Sequence, residues 1–330
     1  MRIHAHILAP FDQFELRSLR KIIDVTYESW LDTKRLHDPE ELGERLNNDN
    51  TSILVVEADF IFKELFETAP NLKFVGVCRT SINHVDLEQA TQKGILIVNT
   101  PARNAQAVAE HALGLILSLA RQIPKAHKYV TNKHWVNPIE PYIAMRGIEL
   151  SGKTIGIIGL GNAGKKLAKI SHALNMKILS YDPYIKRTSN YVTSTDLNNL
   201  LTKSDFVSIH APLTLETENM IDEDQIRIMK STAYLINLSN SAIISEAALH
   251  EALLNGIIAG AALDIFTTHP ISPNSPLLSL ENVVLTPHIG GATKETIQRH
   301  SKMMSDDIQC YLKGERPKNL VNPNVWKSIV

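Results

Sequence analysis

The most constraining feature of the sequence is a glycine-rich turn between an apolar run and a helical run. Residues 154–158 (TIGII) lead into Gly159, Gly161 and Gly164, and a stretch rich in Lys, Leu, Ala and Ile follows. In such a turn the first glycine permits the tight bend, the second lets a pyrophosphate approach the backbone, and the third lets the helix pack closely on the strand. The backbone N–H groups of Asn162 and Ala163 would bind the pyrophosphate. The turn therefore predicts a dinucleotide site.

An acidic residue follows the turn at the spacing that recognition of an adenosine ribose requires. Residues 176–181 read as a strand, and Asp182 ends it, roughly twenty residues after the turn. A carboxylate at this position can accept hydrogen bonds from both ribose hydroxyls and would repel the 2′-phosphate of NADP. Because no arginine follows Asp182 directly, the sequence favours NAD as the cofactor.

Composition excludes several other classes of protein. The 330 residues exceed what one core usually organises, so two domains are expected, and 44% of them are hydrophobic. The formal net charge of -1 argues against nucleic acid as a partner. Cys78 and Cys310 have no paired spacing and the N-terminus has no apolar signal region, so a cytoplasmic location is expected. No apolar stretch is uninterrupted enough to span a membrane.

Short β-rich runs alternate with helical runs along the whole chain. The first β-rich runs cover residues 2–8, 52–57, 72–78 and 95–98. A long helix is expected at 105–123, with His111 facing a partner helix. Six more strands are expected at 154–158, 177–181, 206–210, 233–237, 258–263 and 283–285. Both series fit an α/β fold with doubly wound parallel sheets, and the closing helix at 294–312 is expected to return to the first.

Five other segments carry motifs that occur together in one enzyme family. They cover residues 77–86, 99–105, 108–111, 149–154 and 286–293, the last reading TPHIGGAT. In these motifs the chain resembles the D-isomer-specific 2-hydroxyacid dehydrogenases of the phosphoglycerate dehydrogenase type, over nearly its whole length. The resemblance implies a flavodoxin-like substrate-binding domain from residues 1–100 plus 294–330, and a Rossmann NAD domain from 101–293. It also implies an active cleft between the domains, and a homodimer built by an arm at about residues 105–150.

The resemblance assigns the central chemistry to His288. The matching histidine of the family is the general acid/base, which exchanges a proton with the C2 oxygen while hydride moves between nicotinamide and a 2-hydroxy or 2-oxo acid. Imidazole suits this role because its ordinary pKa, roughly 6.5, lies near working pH. Arg79, Thr80 and Ser81 match the family loop whose backbone N–H groups hold the acid group of the substrate.

Two positions in the expected catalytic set, His288, Asn240 and His269, depart from the family pattern. Asn240 stands where the family has an arginine that grips the substrate carboxylate, and an amide cannot replace that charged, bidentate fork. His269 stands where the family has a glutamate that hydrogen-bonds the catalytic histidine. Two neighbouring imidazoles are expected to titrate as a coupled pair, with one ring neutral.

These departures leave two hypotheses open. The first is an enzyme of altered specificity, in which His288 remains the acid/base and Arg79 supplies a cation for a small anionic substrate. The second is a catalytically retired NAD(H)-binding protein that acts as a sensor, scaffold or regulatory subunit. Because the substrate loop and the His288 motif are both intact, the sequence favours the enzyme.

The remaining cofactor contacts follow from positions within the matched motifs. Besides the glycine turn and Asp182, the expected cofactor-binding residues are Val108, His210, Ala211, Pro212, Thr217, Leu238, Ser239, Asn240, Asp264, His288 and Gly290. Val108 and Asp264 are expected near the nicotinamide. Most of the others end successive predicted strands, so they would form one continuous groove. No metal site is expected, because the histidines are scattered and no cysteine pair accompanies them.

Overall fold

The computed structural model describes residues 2–329, and the chain divides into two compact units. The first unit consists of Met1–Arg103 and Thr293–Val330, and the second of Asn104–Ala292. Each unit is built on its own parallel sheet. The predicted α/β class with two doubly wound sheets is confirmed.

The sheet of the first unit has five parallel strands in the order β2-β1-β3-β4-β5, which is the flavodoxin-like order. The strands are β1 His4–Ile7, β2 Asp24–Tyr27, β3 Thr51–Val56, β4 Phe74–Val77 and β5 Leu96–Asn99. The sequence analysis missed β2. This strand pairs only with β1 at the sheet edge and no residue in it is fully buried, so it lacks the apolar run that marks the inner strands.

Helices cover both faces of this sheet. They are α1 Gln13–Arg20, α2 Trp30–Thr33, α3 Pro39–Asn48, α4 Lys63–Thr68, α5 Leu87–Gln92, and, from the end of the chain, α13 Lys294–Leu312 and α14 Pro323–Ile329. The returning segment is tied to β5, because Asn322 accepts a hydrogen bond from the Ile97 N–H at 2.9 Å and donates to the Ile95 carbonyl at 2.9 Å. Helices α13 and α14 are part of the first unit.

The sheet of the second unit has seven parallel strands in the order β12-β11-β10-β9-β6-β7-β8. They are β6 Thr154–Ile158, β7 Lys177–Tyr181, β8 Val192–Ser194, β9 Phe206–Ile209, β10 Tyr234–Asn237, β11 Gly260–Leu263 and β12 Val283–Leu285. Six strands were predicted, and β8 was missed. It has three residues, of which only Val192 is buried, so its sequence carries almost no strand signal.

The helices of the second unit are α6 Ala105–Ala120, α7 Ile123–Thr131, α8 Glu140–Ala144, α9 Asn162–Ala173, α10 Leu197–Lys203, α11 Glu223–Arg227 and α12 Glu246–Leu254, with 3-10 turns at Ser241–Ile243 and Pro276–Ser279. The helix predicted at 105–123 ends at Ala120. Gln122 adopts a left-handed backbone with φ 52°, and α7 begins directly after it with Pro124 in its first turn. The predicted helix is therefore α6, which ends three residues earlier than expected, and α7 was not predicted.

Candidate cofactor and active site

The glycine turn has the geometry that the sequence analysis assigned to it. Gly159 has φ 89°, and a Cβ there would lie 2.5 Å from the Ala211 backbone nitrogen. A Cβ on Gly164 would lie 2.2 Å from the Gly159 carbonyl oxygen, so this glycine lets α9 pack against the turn. The Cβ position of Gly161 faces open space, and no side chain caps the first turn of α9. The turn thus leaves backbone N–H groups open to an anion.

Asp182 follows β7 and is held against this turn. One carboxylate oxygen accepts a hydrogen bond from the Leu160 N–H at 2.8 Å, and the other accepts from the N–H groups of Tyr184 at 3.0 Å and Ile185 at 3.2 Å. These bonds fix the carboxylate at the carboxyl end of β7, next to the glycine turn. This is where the ribose of a bound dinucleotide is expected.

A cavity of about 100 Å³ lies beside Asp182. It is lined by Ile158, Gly159, Tyr181, Asp182, Pro183, Tyr184, Ala211, Pro212, Thr214, Glu216, Thr217 and Met220. Of the predicted cofactor residues, Gly159, Asp182, Ala211, Pro212 and Thr217 meet here. A larger depression of about 610 Å³ is lined by Thr154 and Lys177, which begin their strands, so it lies away from the carboxyl edge where ligands bind such sheets.

His210 directly follows β9 and precedes Ala211, which lines this cavity. Burial lowers the pKa of His210 to about 4, and its Nε2 atom lies 2.9 Å from the Ser208 hydroxyl. At neutral pH the ring therefore contributes a hydrogen-bonding group without charge beside the cofactor site.

His288 lies on a short loop that is fixed by hydrogen bonds to Asp264. The buried Asp264 carboxylate accepts hydrogen bonds from the N–H groups of Ile289 at 2.9 Å and Gly290 at 2.7 Å, and from the Thr286 hydroxyl at 2.6 Å. A Cβ on Gly290 would lie 2.9 Å from that carboxylate, so only glycine fits. His288 itself has φ 55°, a conformation that a non-glycine residue adopts only when its surroundings hold it there.

Asp264 stays ionised because of the groups around it. Burial alone would raise its pKa, but the bonds from His111, Thr286 and the two backbone N–H groups lower the pKa below its ordinary value. His111 Nε2 lies 3.1 Å from the Thr286 hydroxyl, and since that hydroxyl donates to Asp264, His111 is the donor. The expectation that His111 faces a partner helix is therefore wrong. Its partner comes from a strand end 175 residues away.

The second histidine of the expected site is next to the first. The ring centroids of His269 and His288 are 5.1 Å apart, and the ring planes are inclined by 50°. Both side chains are exposed. The structure thus brings together two of the three expected catalytic residues.

Asn240 is used to shape its own loop. Its side-chain oxygen accepts a hydrogen bond from the Ala242 N–H at 3.0 Å, which caps the 3-10 turn that follows β10. Its backbone carbonyl accepts from the Asn237 side chain at 2.8 Å, and Asn237 also accepts from the Ser239 N–H at 3.0 Å. The sequence analysis missed the role of Asn237, a buried residue that braces the segment of Leu238, Ser239 and Asn240.

The predicted substrate loop belongs to the first unit. The Arg79 carbonyl accepts a hydrogen bond from the Thr100 N–H at 3.0 Å, and the Thr80 hydroxyl accepts from the Ala102 N–H at 3.3 Å. The Ser81 hydroxyl donates to the Asn83 side chain. Within residues 2–329, no carboxylate forms an ion pair with the exposed Arg79 side chain, which leaves its guanidinium available to an anion.

A buried network in the first unit went unnoticed in the sequence. Arg103 donates to the Glu57 carboxylate and lies 2.6 Å from His300 Nδ1, while His300 Nε2 lies 2.6 Å from the Pro10 carbonyl. Because a carbonyl only accepts, Nε2 carries the proton and Nδ1 accepts from Arg103. Burial lowers the pKa of His300 to about 4, and the neighbouring guanidinium also lowers it.

No set of three or more His, Cys, Asp or Glu side chains within 2–329 is arranged to hold a metal ion. None of the helices in that range is both long enough and apolar enough to cross a membrane.

Comparison with known proteins identifies the family. A family model described as the NAD-binding domain of D-isomer-specific 2-hydroxyacid dehydrogenases matches residues 113–290. The chain belongs to this family. It is 43% identical over 297 residues to a glyoxylate reductase of Thermofilum pendens, covering 88% of this chain and 87% of that protein.

Solved structures agree with this assignment. A D-lactate dehydrogenase from Aquifex aeolicus, in complex with NAD and lactic acid, superposes with a TM-score of 0.77 at 26% identity, covering 97% of this chain and 99% of that one. An NADPH-dependent glyoxylate/hydroxypyruvate reductase from Sinorhizobium meliloti, with NADP and malonate, gives 0.78 at 25% identity, covering 97% of both chains. The family, its NAD cofactor and its oxidoreductase class are therefore confirmed. The uncapped helix and the open side of Gly161 fit a pyrophosphate.

Proposed function

We propose that this protein reduces a small 2-oxo acid to the corresponding 2-hydroxy acid, with His288 as the proton donor. The observation that carries the proposal is the construction around His288. A buried, ionised carboxylate holds its loop through two backbone N–H groups, and a second imidazole lies beside its ring. Because a relative of 43% identity is named a glyoxylate reductase, glyoxylate is the first substrate to test.

The residues of the site divide the work of the reaction. When bound, NADH supplies the hydride that adds to C2 of the substrate. His288 gives its proton to the C2 oxygen, so the carbonyl becomes a hydroxyl and no alkoxide is left unprotonated. The His269 ring lies beside the His288 ring, with centroids 5.1 Å apart, but an imidazole without charge cannot stabilise the protonated His288 ring as a carboxylate would.

Arg79 is our candidate for the cation that the Asn240 position lacks. A guanidinium can bind a carboxylate through two parallel hydrogen bonds, and no carboxylate of the described chain competes for it. The backbone bonds of Arg79 and Thr80 hold their loop in a fixed shape. The substrate is therefore proposed to be a small anion whose acid group binds this loop.

The direct test is to mix the purified protein with NADH and a panel of 2-oxo acids and follow the absorbance of reduced nicotinamide. Turnover is expected, and His288→Asn should lower kcat by about 10²- to 10⁴-fold while the variant still binds NADH. Absence of turnover with every acid, together with tight NADH binding, would instead support the retired NAD(H)-binding protein.

A double substitution tests the two unusual positions. Asn240→Arg with His269→Glu restores the charges that the family pattern contains. The variant should reduce common 2-oxo acids faster than the parent, and the upper limb of its pH profile should move to higher pH because a carboxylate favours the protonated ring. An unchanged substrate range and pH profile would contradict the roles given to these positions.

Arg79 is tested by Arg79→Gln. The KM for the 2-oxo acid should rise about tenfold or more, because the charged contact is lost, while the Kd for NADH stays the same. Arg35→Gln, at an exposed loop position of the same unit, is the matched control. Equal effects of the two substitutions would show a general loss of positive charge rather than a specific contact.

We also propose that the arm at about residues 105–150 forms a homodimer. Between α7 and β6 the exposed fractions of three apolar or aromatic side chains are high: 89% for Val136, 78% for Tyr142 and 65% for Ile139. Such a group is unusual on a surface in contact with solvent. Light scattering should give the mass of a dimer, and Val136→Glu should shift it toward the monomer.

Two free cysteines, Cys78 and Cys310, support a reducing, cytoplasmic location.

A further inference from the structure

A hydrogen bond joins two residues that line the cavity beside Asp182. The Tyr184 hydroxyl donates to the Glu216 carboxylate at 2.6 Å, and both residues line this cavity. The Tyr184 N–H in turn donates to Asp182 at 3.0 Å. Asp182, Tyr184 and Glu216 therefore form one continuous hydrogen-bonded chain along the cavity wall. Neither Tyr184 nor Glu216 was singled out by the sequence analysis.

The segment that carries Glu216 is held in a fixed shape. The Thr217 hydroxyl donates to the Pro212 carbonyl at 2.7 Å and accepts from the Thr214 N–H at 2.8 Å. Tyr184 is 74% exposed, so packing does not account for its position. The Tyr184 hydroxyl instead holds the Glu216 carboxylate at the cavity through its hydrogen bond.

The charges around the cavity all have the same sign. Its lining includes two carboxylates, Asp182 and Glu216, and contains no lysine or arginine. Lys186 and Arg187 follow Tyr184 in the loop after β7, but neither lines this cavity; Arg187 lines a different depression, of about 210 Å³, together with Lys165. Among the residues that line the cavity, a doubly charged phosphate would thus meet two negative charges and no positive one.

We propose that Glu216, positioned by Tyr184, is a second carboxylate at the adenosine site and acts with Asp182 to select NAD(H) over NADP(H). This inference rests on the placement of the adenosine ribose beside Asp182. It does not depend on which acid is reduced. The selection matters in this family because relatives of similar fold are solved with NAD in one case and NADP in another.

The test measures Kd for NADH and for NADPH on the full chain by calorimetry. Glu216→Gln should tighten NADPH binding about five- to tenfold, because one of two repelling charges is removed, and should change NADH binding less than about twofold. Asp182→Asn combined with Glu216→Gln should favour NADPH further than either change alone. Tyr184→Phe should act in the same direction as Glu216→Gln but more weakly, because it releases the carboxylate without removing it.

The matched control is Glu218→Gln, which removes the same charge two residues away, outside the cavity lining. It should leave both dissociation constants unchanged. Equal effects of Glu216→Gln and Glu218→Gln, or an equal effect of Glu216→Gln on both cofactors, would overturn the inference. A parent protein that binds NADPH as tightly as NADH would also overturn it. Because binding is measured, the result is independent of turnover with 2-oxo acids.

Discussion

Both units contain a doubly wound parallel sheet, but they differ at the crevice where the strand order of the sheet reverses. In the first unit the strand order reverses between β1 and β3, and the crevice at their ends contains the network of Glu57, Arg103, His300 and the Pro10 carbonyl. In the second unit the order reverses between β6 and β9, and the glycine turn that follows β6 has open space at the Cβ position of Gly161. Ligands of such folds bind at this crevice. Winding alone therefore does not make a ligand site, because side chains can fill it.

The largest effect is expected from breaking the filled crevice. Arg103→Met removes the partner of both Glu57 and His300, and the ion pair is mostly buried, at 12% and 14% side-chain exposure. The free energy of unfolding should fall by about 3 kcal/mol, because a buried carboxylate is left without its partner. Urea unfolding measures the change. Glu57→Gln in the Arg103→Met background should recover part of the loss, and no recovery would mean that the network is not the cause.

A change of similar kind at the open crevice should affect binding. Gly159→Ala places a Cβ 2.5 Å from the Ala211 nitrogen and strains a backbone with φ 89°. We expect the Kd for NADH to rise by about thirtyfold, equivalent to about 2 kcal/mol. The control is Gly256→Ala, which carries a positive φ of 65° but has open space at its Cβ. Equal losses in the two variants would assign the effect to strain and not to the crevice.

The network that fills the crevice of the first unit should also make stability depend on pH. The pKa of His300 is about 4 in the folded chain and 6.5 as its ordinary value, so the unfolded chain binds the proton more readily between these values. Stability from this group is therefore present at pH 7 and is lost as the pH falls toward 4. Between pH 7 and pH 5 the loss should be about 2 kcal/mol.

His300→Gln removes this titration while its amide can still donate to the Pro10 carbonyl. Urea unfolding at both pH values should show a smaller loss for the variant than for the parent. Identical losses would mean that other groups, such as His210 with its pKa of about 4, dominate this range.

The smallest expected effect concerns the edge of the filled crevice. Trp30 Nε1 donates to Glu57 at 3.3 Å, a long bond to a carboxylate that Arg103 already neutralises. Trp30→Phe should lower the free energy of unfolding by about 1 kcal/mol or less. A loss as large as that of Arg103→Met would contradict the leading role given to the arginine.

The features that the sequence predicted are those with local causes. The glycine turn is recognisable because a positive φ at Gly159 and the close contact at Gly164 leave no alternative residue. The short edge strands β2 and β8 were missed because each pairs on one side only and shows little apolar pattern. Their assignment depends on neighbours that the local sequence does not contain.

The missed features of the site depend on distant partners. His111 was assigned to a partner helix, whereas its hydrogen-bond partner Thr286 arrives much later in the chain. The sequence analysis described Asn240 only as a replacement for the arginine of the family. Its capping role depends on the hydrogen bond from the Ala242 N–H, which the structure shows. Glu57, Arg103 and His300 come from three separated segments. Periodicity and motif spacing carry no information on such pairs.

The return of the chain to β5 sets an order for the completion of the molecule during synthesis. Residues 104–292 are contiguous, so the second unit can fold as soon as they have left the ribosome. The first unit lacks α13, and β5 lacks its hydrogen bond to Asn322, until residues 293–330 have been synthesised. The sheet whose strands are made first is therefore finished last, and until then β5 has an unpaired edge that must be kept from other chains.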